Sequence, residues 1–188
     1  MLQKRSQLAS ARRKKVMVRF KRPFEQGAVH GYVIDVGTEF FIVALISDGI
    51  RFNGFQCFRL SDVRSLQVPG KFSEFVKAAL KKRGERIPKR HHVAVTSLTK
   101  LLLTANQAFP LITIHREKRD PDVCHIGRIV DLRGEHVSLL EIGPDAVWDD
   151  KPETYRLSEI TRVDFGGDYE GALHLVGGSP RINKRRRR

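Results

Sequence analysis

Gly31-Tyr32-Val33-Ile34-Asp35-Val36 returns as Gly127-Arg128-Ile129-Val130-Asp131-Leu132. Glu39-Phe40-Phe41-Ile42-Val43 returns at the same offset as Glu135-His136-Val137-Ser138-Leu139. Phe58-Arg59-Leu60-Ser61-Asp62-Val63 returns one residue later as Tyr155-Arg156-Leu157-Ser158-Glu159-Ile160. An echo this long, in constant order, means two versions of one small unit. Each unit of roughly 90 residues is large enough for a modest core of its own.

The segments between these echoes follow the same plan. Val16–Phe20, Ala28–Val36, Phe40–Ser47, Phe55–Leu60 and Val63–Val68 read as five strands, broken at Gly37-Thr38, Ser47-Asp48-Gly49 and Ser61-Asp62. Phe72–Gly84 reads as a helix with Phe72, Phe75, Val76, Ala79 and Leu80 on one face. The second half repeats this order. It has a helix over Ser97–Ala108, strands at Leu111–His115, Cys124–Leu132, His136–Ile142, Tyr155–Leu157 and Ile160–Phe165, and a closing helix over Asp168–Val176. In this register Leu8 matches Leu102 and Ala11 matches Ala105, so the basic N-terminus reads as a mostly solvated leading helix rather than a cleaved presequence. Arg83–His92, with Pro88, reads as the linker.

A leading helix followed by five short, bent antiparallel strands resembles the Sm-like barrel. The expected fold class is therefore mainly β with flanking helices, as two tandem Sm-like five-stranded small barrels. The expected units are residues 1–88, residues 89–180, and a basic, disordered tail over 181–188. The second half is also similar to a group of uncharacterised bacterial proteins. Asp122-Val123-Cys124-His125-Ile126-Gly127-Arg128, Trp148-Asp149-Asp150-Lys151-Pro152 and the run Ile160–Glu170 carry that likeness. The Sm-like resemblance implies RNA binding, and pairing of the fourth strand of one barrel with the fifth of the next. The chain departs from the family at its turns. Val36-Gly37-Thr38 and Leu132-Arg133-Gly134 lack the Asn of an Sm uridine pocket, and Asp62 or Glu159 puts an acid where RNA-binding relatives place a base.

Charge is unevenly placed. The net charge is +14, from 35 Lys and Arg against 21 Asp and Glu. Residues 1–22 hold nine cations and no acid, and residues 181–188 hold six cations and no acid, which leaves the body near neutral. A third basic island runs from Lys81 to Arg90, and the second half is acidic. Basic ends on a neutral-to-acidic body point to an anionic partner for the ends. The candidate phosphate contacts are Arg12, Arg13, Lys14, Lys15, Arg19, Lys21, Arg22, Arg185, Arg186, Arg187 and Arg188.

Other constellations have plainer readings. Arg59 with Asp62, and Arg156 with Glu159, read as ion pairs across a bend, with a ligand site as the alternative. Trp148 beside Asp149 and Asp150 offers a contact for a cationic partner, against which stands a Trp folded onto its own barrel. Cys124 and His125 point to opposite faces of a strand, so with His115 they make a poor metal site, and His91-His92 is isolated. Asp164-Phe165-Gly166-Gly167-Asp168 reads as a turn into a helix cap. No catalytic, nucleotide-loop or dinucleotide signature is present. Cys57 and Cys124 are not equivalent in the repeat and, with no secretory signal, fit a reducing cytoplasm. The longest apolar run, Phe40–Ile46, is too short for a membrane span.

The sequence therefore predicts a cytoplasmic, non-enzymatic, nucleic-acid-associated protein without cofactor or metal, with RNA favoured over DNA. The alternative is a protein-interaction module using the Trp148 loop. No membrane insertion is expected, and homo-oligomers are compatible with the pattern.

Overall fold

The computed structural model describes residues 2–89 and 91–180. The first half comprises helix α1 (Leu2–Lys14), strands β1 (Met17–Lys21), β2 (Val29–Val36), β3 (Phe40–Ile46), β4 (Phe52–Arg59) and β5 (Ser65–Gln67), and helix α2 (Ser73–Lys82). The second comprises α3 (Leu98–Ala108), β6 (Ile112–His115), β7 (Cys124–Arg133), β8 (His136–Glu141), β9 (Glu153–Arg156), β10 (Arg162–Phe165) and α4 (Asp168–Gly177). A single 3-10 turn follows the fourth strand in each half, Leu60–Asp62 in one and Leu157–Glu159 in the other.

The repeat holds at the level of hydrogen bonding. The second strand shifts register against the third between Val33 and Asp35, and again between Ile129 and Asp131. Gly31 and Gly127 are equivalent because a backbone crosses each closely. A Cβ on Gly31 would lie 2.3 Å from the Ala44 carbonyl oxygen, and one on Gly127 would lie 2.0 Å from that of Leu140. The interiors also correspond. Leu8, Val18, Phe20, Val33, Phe41 and Phe58 form the first. Leu102, Ile112, Ile114, Ile129, Val137 and Tyr155 take the same places in the second.

The sheet itself differs from the expectation of two closed barrels. All ten strands form one open antiparallel sheet in the order β5-β1-β2-β3-β4-β10-β6-β7-β8-β9. Within each half the fourth strand does not pair with the fifth. Instead β4 pairs with β10 over Phe55–Phe58 and Arg162–Phe165, so the fourth strand of one half meets the fifth of the other. The physical reason lies in the partners. Phe165 stacks on Phe55 with ring centroids 5.6 Å apart, and the Gln56 amide donates to Asp164 (3.1 Å). By contrast β5 is only three residues long and pairs only with β1.

Joining the halves this way buries both faces of β3, where every residue from Phe40 to Ala44 is buried. A strand covered on both sides reads as a continuous apolar run, whereas β8, covered less fully, alternates. The covering material is α3, whose Leu101 and Leu102 share a core cluster with Phe40, Ile42 and Phe55 of the first half. Ser97 caps α3 by accepting from the Lys100 N–H (3.2 Å). The predicted apolar face of α2 is only partly used: Val76 and Leu80 are buried, but Phe72 and Phe75 are 65% and 63% exposed. No helix among the described residues is long and apolar enough to cross a membrane.

Candidate nucleic-acid interface

Helix α1 lies against β2 through Leu8 and Ala11, its only buried residues, and turns its cations outward. Arg5, Arg13, Lys14 and Lys15 are exposed, as is Lys21 at the end of β1. Arg12 is partly committed, with its guanidinium 2.9 Å from the buried Asp35 carboxylate. Lys4 donates to the Val63 carbonyl, and Arg19 is half-buried on β1. Arg185, Arg186, Arg187 and Arg188 lie outside the described residues.

Arg22 is a correction. It is 3% exposed, and its guanidinium is held between Glu25 (2.6 Å) and Glu117, over the rings of Phe24 and Phe58. It therefore belongs to a charge network joining the two halves, not to the phosphate-facing set. Arg162 completes that network, 3.3 Å from Glu25 and 3.2 Å from Glu117. Beside it His115 lies 3.0 Å from Asp164. Burial pushes the Asp164 carboxyl up, but His115, Arg162 and the hydrogen bond from Gln56 outweigh burial and hold it below the ordinary value. Glu25 goes the other way, because burial outweighs the attraction of Arg22 and Arg162.

The bend ion pairs are a second correction. Among the described residues Arg59 makes no pair with Asp62; its Nε donates to the Ile160 carbonyl (3.1 Å), and it stacks over Phe40. Glu159 accepts from Arg116 (3.2 Å) and Arg119 (3.3 Å) rather than from Arg156. The recurring contact is a different one. Arg22 lies 4.8 Å from the Phe58 ring centre, and its repeat equivalent Arg116 lies 4.8 Å from that of Tyr155. Around Tyr155 the second half is polar where the first is apolar. His125 donates to Glu141 (3.1 Å), and the Tyr155 hydroxyl donates to the same carboxylate. Burial raises the Glu141 carboxyl, but these hydrogen bonds carry it below its ordinary value.

Trp148 is folded onto its own half. Its indole N–H donates to the Gly177 carbonyl (3.1 Å), and it packs beside Ile142 and Leu173. Asp149 and Asp150 are exposed without it. The Gly166-Gly167 turn does lead into α4, where the first N–H, that of Asp168, is capped by the Asn53 side chain (2.8 Å) from the other half.

The third basic island falls next to the first. Lys15 after α1, the middle of β2, the start of β4, and α2 with its following turn line an open recess of about 510 Å3. Lys15, Lys77, Lys81 and Arg86 line it, over an apolar floor that includes Tyr32, Phe52 and Ile87. A smaller space of about 200 Å3 continues from it past Lys15 and Tyr32 toward Arg12. Lys77, Tyr32 and Phe52 escaped the sequence reading. The spacing of Lys77 and Lys81, one helical turn apart on α2, was the one signal that pointed to them.

Comparison with protein-family models, with curated proteins and with solved structures finds no match.

Proposed function

We propose that this is a non-catalytic nucleic-acid-associated protein built from two tandem Sm-like halves, which grips phosphates without regard to sequence. The observation that carries the reading is convergence. Lys15, directly after α1, and Lys77, Lys81 and Arg86 of α2 and its following turn, far apart in sequence, line one recess, while acids concentrate in the other half. Arg5, Arg13, Lys14, Lys15 and Lys21 supply the outer contacts, and Arg185–Arg188 add a basic arm. The shared strand order of the halves supports the Sm-like assignment, and RNA is the favoured partner.

Deleting residues 1–15 is a poor test, because Leu8 and Ala11 are core residues. The test is instead a quadruple substitution of Arg5, Arg13, Lys14 and Lys15 to Gln, with and without removal of residues 184–188. Binding of a labelled single-stranded RNA and DNA is titrated with salt. For single strands, each phosphate no longer neutralised by a cation should reduce the slope of log affinity against log salt by about 0.7. An unchanged slope in the combined variant, or no binding by the intact chain at low salt, refutes the reading.

The second reading is a protein-interaction module. One observation favours it: Leu175 and Val176 on α4 are 85% and 77% exposed, and α4 ends at Gly177, whose carbonyl accepts from Trp148 of the acidic loop. That surface rather than Trp148 would then carry the contact.

A further inference from the structure

The recess between α1, β2 and α2 combines two chemistries that a simple phosphate-binding surface does not need. Its rim is cationic, with Lys15, Lys77, Lys81 and Arg86 against two carboxylates: Glu85, which faces Arg51 at 3.8 Å, and Glu74, which faces Lys77 at 3.9 Å. Its floor is aromatic, with the rings of Tyr32 and Phe52 5.8 Å apart and inclined at 58°. Tyr32 is 4% exposed and closes the floor of the recess, Phe52 is the more accessible of the two rings, and among the described residues the Tyr32 hydroxyl makes no hydrogen bond. Burial and the nearby Glu74 raise that phenol above its ordinary value, which keeps it a donor. A volume of about 510 Å3 falls in the range of small-molecule sites, about 300–1,000 Å3. It is far larger than a phosphate requires.

We infer that this recess is a nucleotide subsite: it takes one base of a single-stranded nucleic acid against Tyr32 and Phe52, while Lys77, Lys81 and Lys15 hold the flanking phosphates. The inference rests on the nucleic-acid reading above and deepens it. Lys77 and Lys81 stand on one face of α2, one turn apart, so they can reach successive charges on a strand entering from that side. The smaller space past Tyr32 toward Arg12 gives the strand a continuation along α1, whose exposed cations then follow the backbone. Base-on-aromatic contact tolerates any sequence, because every base has a flat face. An Asn in the turn after β2, absent here, is not needed for this mode.

The test uses the intact chain and four probes: labelled dodecamers of oligo(A) as RNA and as DNA, an abasic dodecamer of the same phosphate count, and poly-glutamate. The variants are K77E/K81E, which changes only exposed side chains, and F52L. Oligo(A) should bind about tenfold tighter than the abasic strand. F52L should remove most of that difference while leaving abasic binding within twofold. K77E/K81E should weaken every nucleic-acid probe by at least tenfold and flatten the salt slope, with an unchanged melting temperature. The ratio of RNA to DNA affinity then identifies which strand the site prefers. Equal binding of oligo(A) and abasic strands overturns the subsite but leaves phosphate gripping intact. Equal binding of poly-glutamate overturns both readings, and absence of any binding at low salt overturns the function itself.

Discussion

Replacing Arg22 with Met separates a structural cation from a ligand-binding one. Met preserves length and apolar contact with Phe24 and Phe58 but removes the charge between Glu25 and Glu117. The Arg22 side chain is 0% exposed and that of Glu117 is 5% exposed, so water cannot replace the missing partner. Breaking a buried pair of this kind costs about 3–5 kcal/mol. Arg162 remains 3.2 Å from Glu117, which places the expected loss near the lower bound, at about 3 kcal/mol. With a urea m-value of about 3 kcal/mol/M, the unfolding midpoint should fall by about 1 M. Adding E117Q to R22M should recover part of that loss, about 1 kcal/mol, since the carboxylate left with Arg162 alone is then neutral. The assay is equilibrium unfolding followed by circular dichroism and by Trp148 fluorescence, two probes that also report whether the halves unfold together. A midpoint shift below about 0.3 M, with a reduced salt slope for RNA binding, would show Arg22 facing ligand and refute the buried-network argument.

Three further outcomes follow from the structure. G127A and G31A should each cost about 2 kcal/mol or more, because the new Cβ meets a backbone carbonyl that cannot retreat, whereas G27A, with open space around it, should be neutral; thermal melts that rank the three otherwise would overturn the close-crossing argument. Acid should weaken the joint through Asp164. Its folded pKa is depressed, so the stability it gives is present above its ordinary value of 3.8 and is lost as pH falls through the lower folded value; D164N should remove that part of the acid dependence. Glu25 has the opposite sign, since its raised folded pKa costs stability once pH climbs past its ordinary 4.5, and E25Q should steepen the net acid loss. Unfolding midpoints measured from pH 2 to 7 check both.

The strand order within each half was legible because each strand carries its own apolar pattern and its own turn residues. Val16–Phe20 reads as a strand and β1 is Met17–Lys21; Phe72–Gly84 reads as a helix and α2 is Ser73–Lys82. The joint between halves was not legible from local pattern, although the Sm-like resemblance implied a fourth strand pairing with the fifth of the next unit, as β4 does with β10. Whether Phe58's strand meets the fifth strand of its own half or the other half's is a choice between distant edges, and no local pattern decides it. Phe40–Ala44 held a trace of the answer, since a run without polar alternation needs cover on both faces. For the site, Lys21 and Arg22 are neighbours of like charge, yet one is exposed and the other buried. Their separation follows from strand alternation and from two carboxylates, one of them 95 residues away. Lys77, Tyr32 and Phe52 come from three elements that only the folded chain brings together.

The joint also sets the two halves apart. At β4 and β10 it is made by Phe55, Gln56, Asp164 and Phe165. In the repeat register the free edge at β9 offers Pro152 and Glu153 in place of Phe55 and Gln56. The free edge at β5 offers Gln67 and Val68 in place of Asp164 and Phe165. The stacked rings and the Gln–Asp hydrogen bond are thus confined to the interior of the sheet, and Pro152 has no N–H to give a further strand. What the two ends do present is opposite charge. Residues 1–88 carry 18 Lys and Arg against seven acids, and residues 89–180 carry eleven against fourteen. Because β5 and β9 are the two ends of one sheet, this bias in sequence becomes a gradient in space. A polyanion approaching the molecule is drawn to the end bearing α1, α2 and the aromatic recess, and repelled from the end bearing Asp149, Asp150 and Glu153. On the proposed function the first half is therefore the one suited to anionic contact, while the second half contributes Glu117 to Arg22, Asp164 to Gln56 and the helix α3 that covers β3.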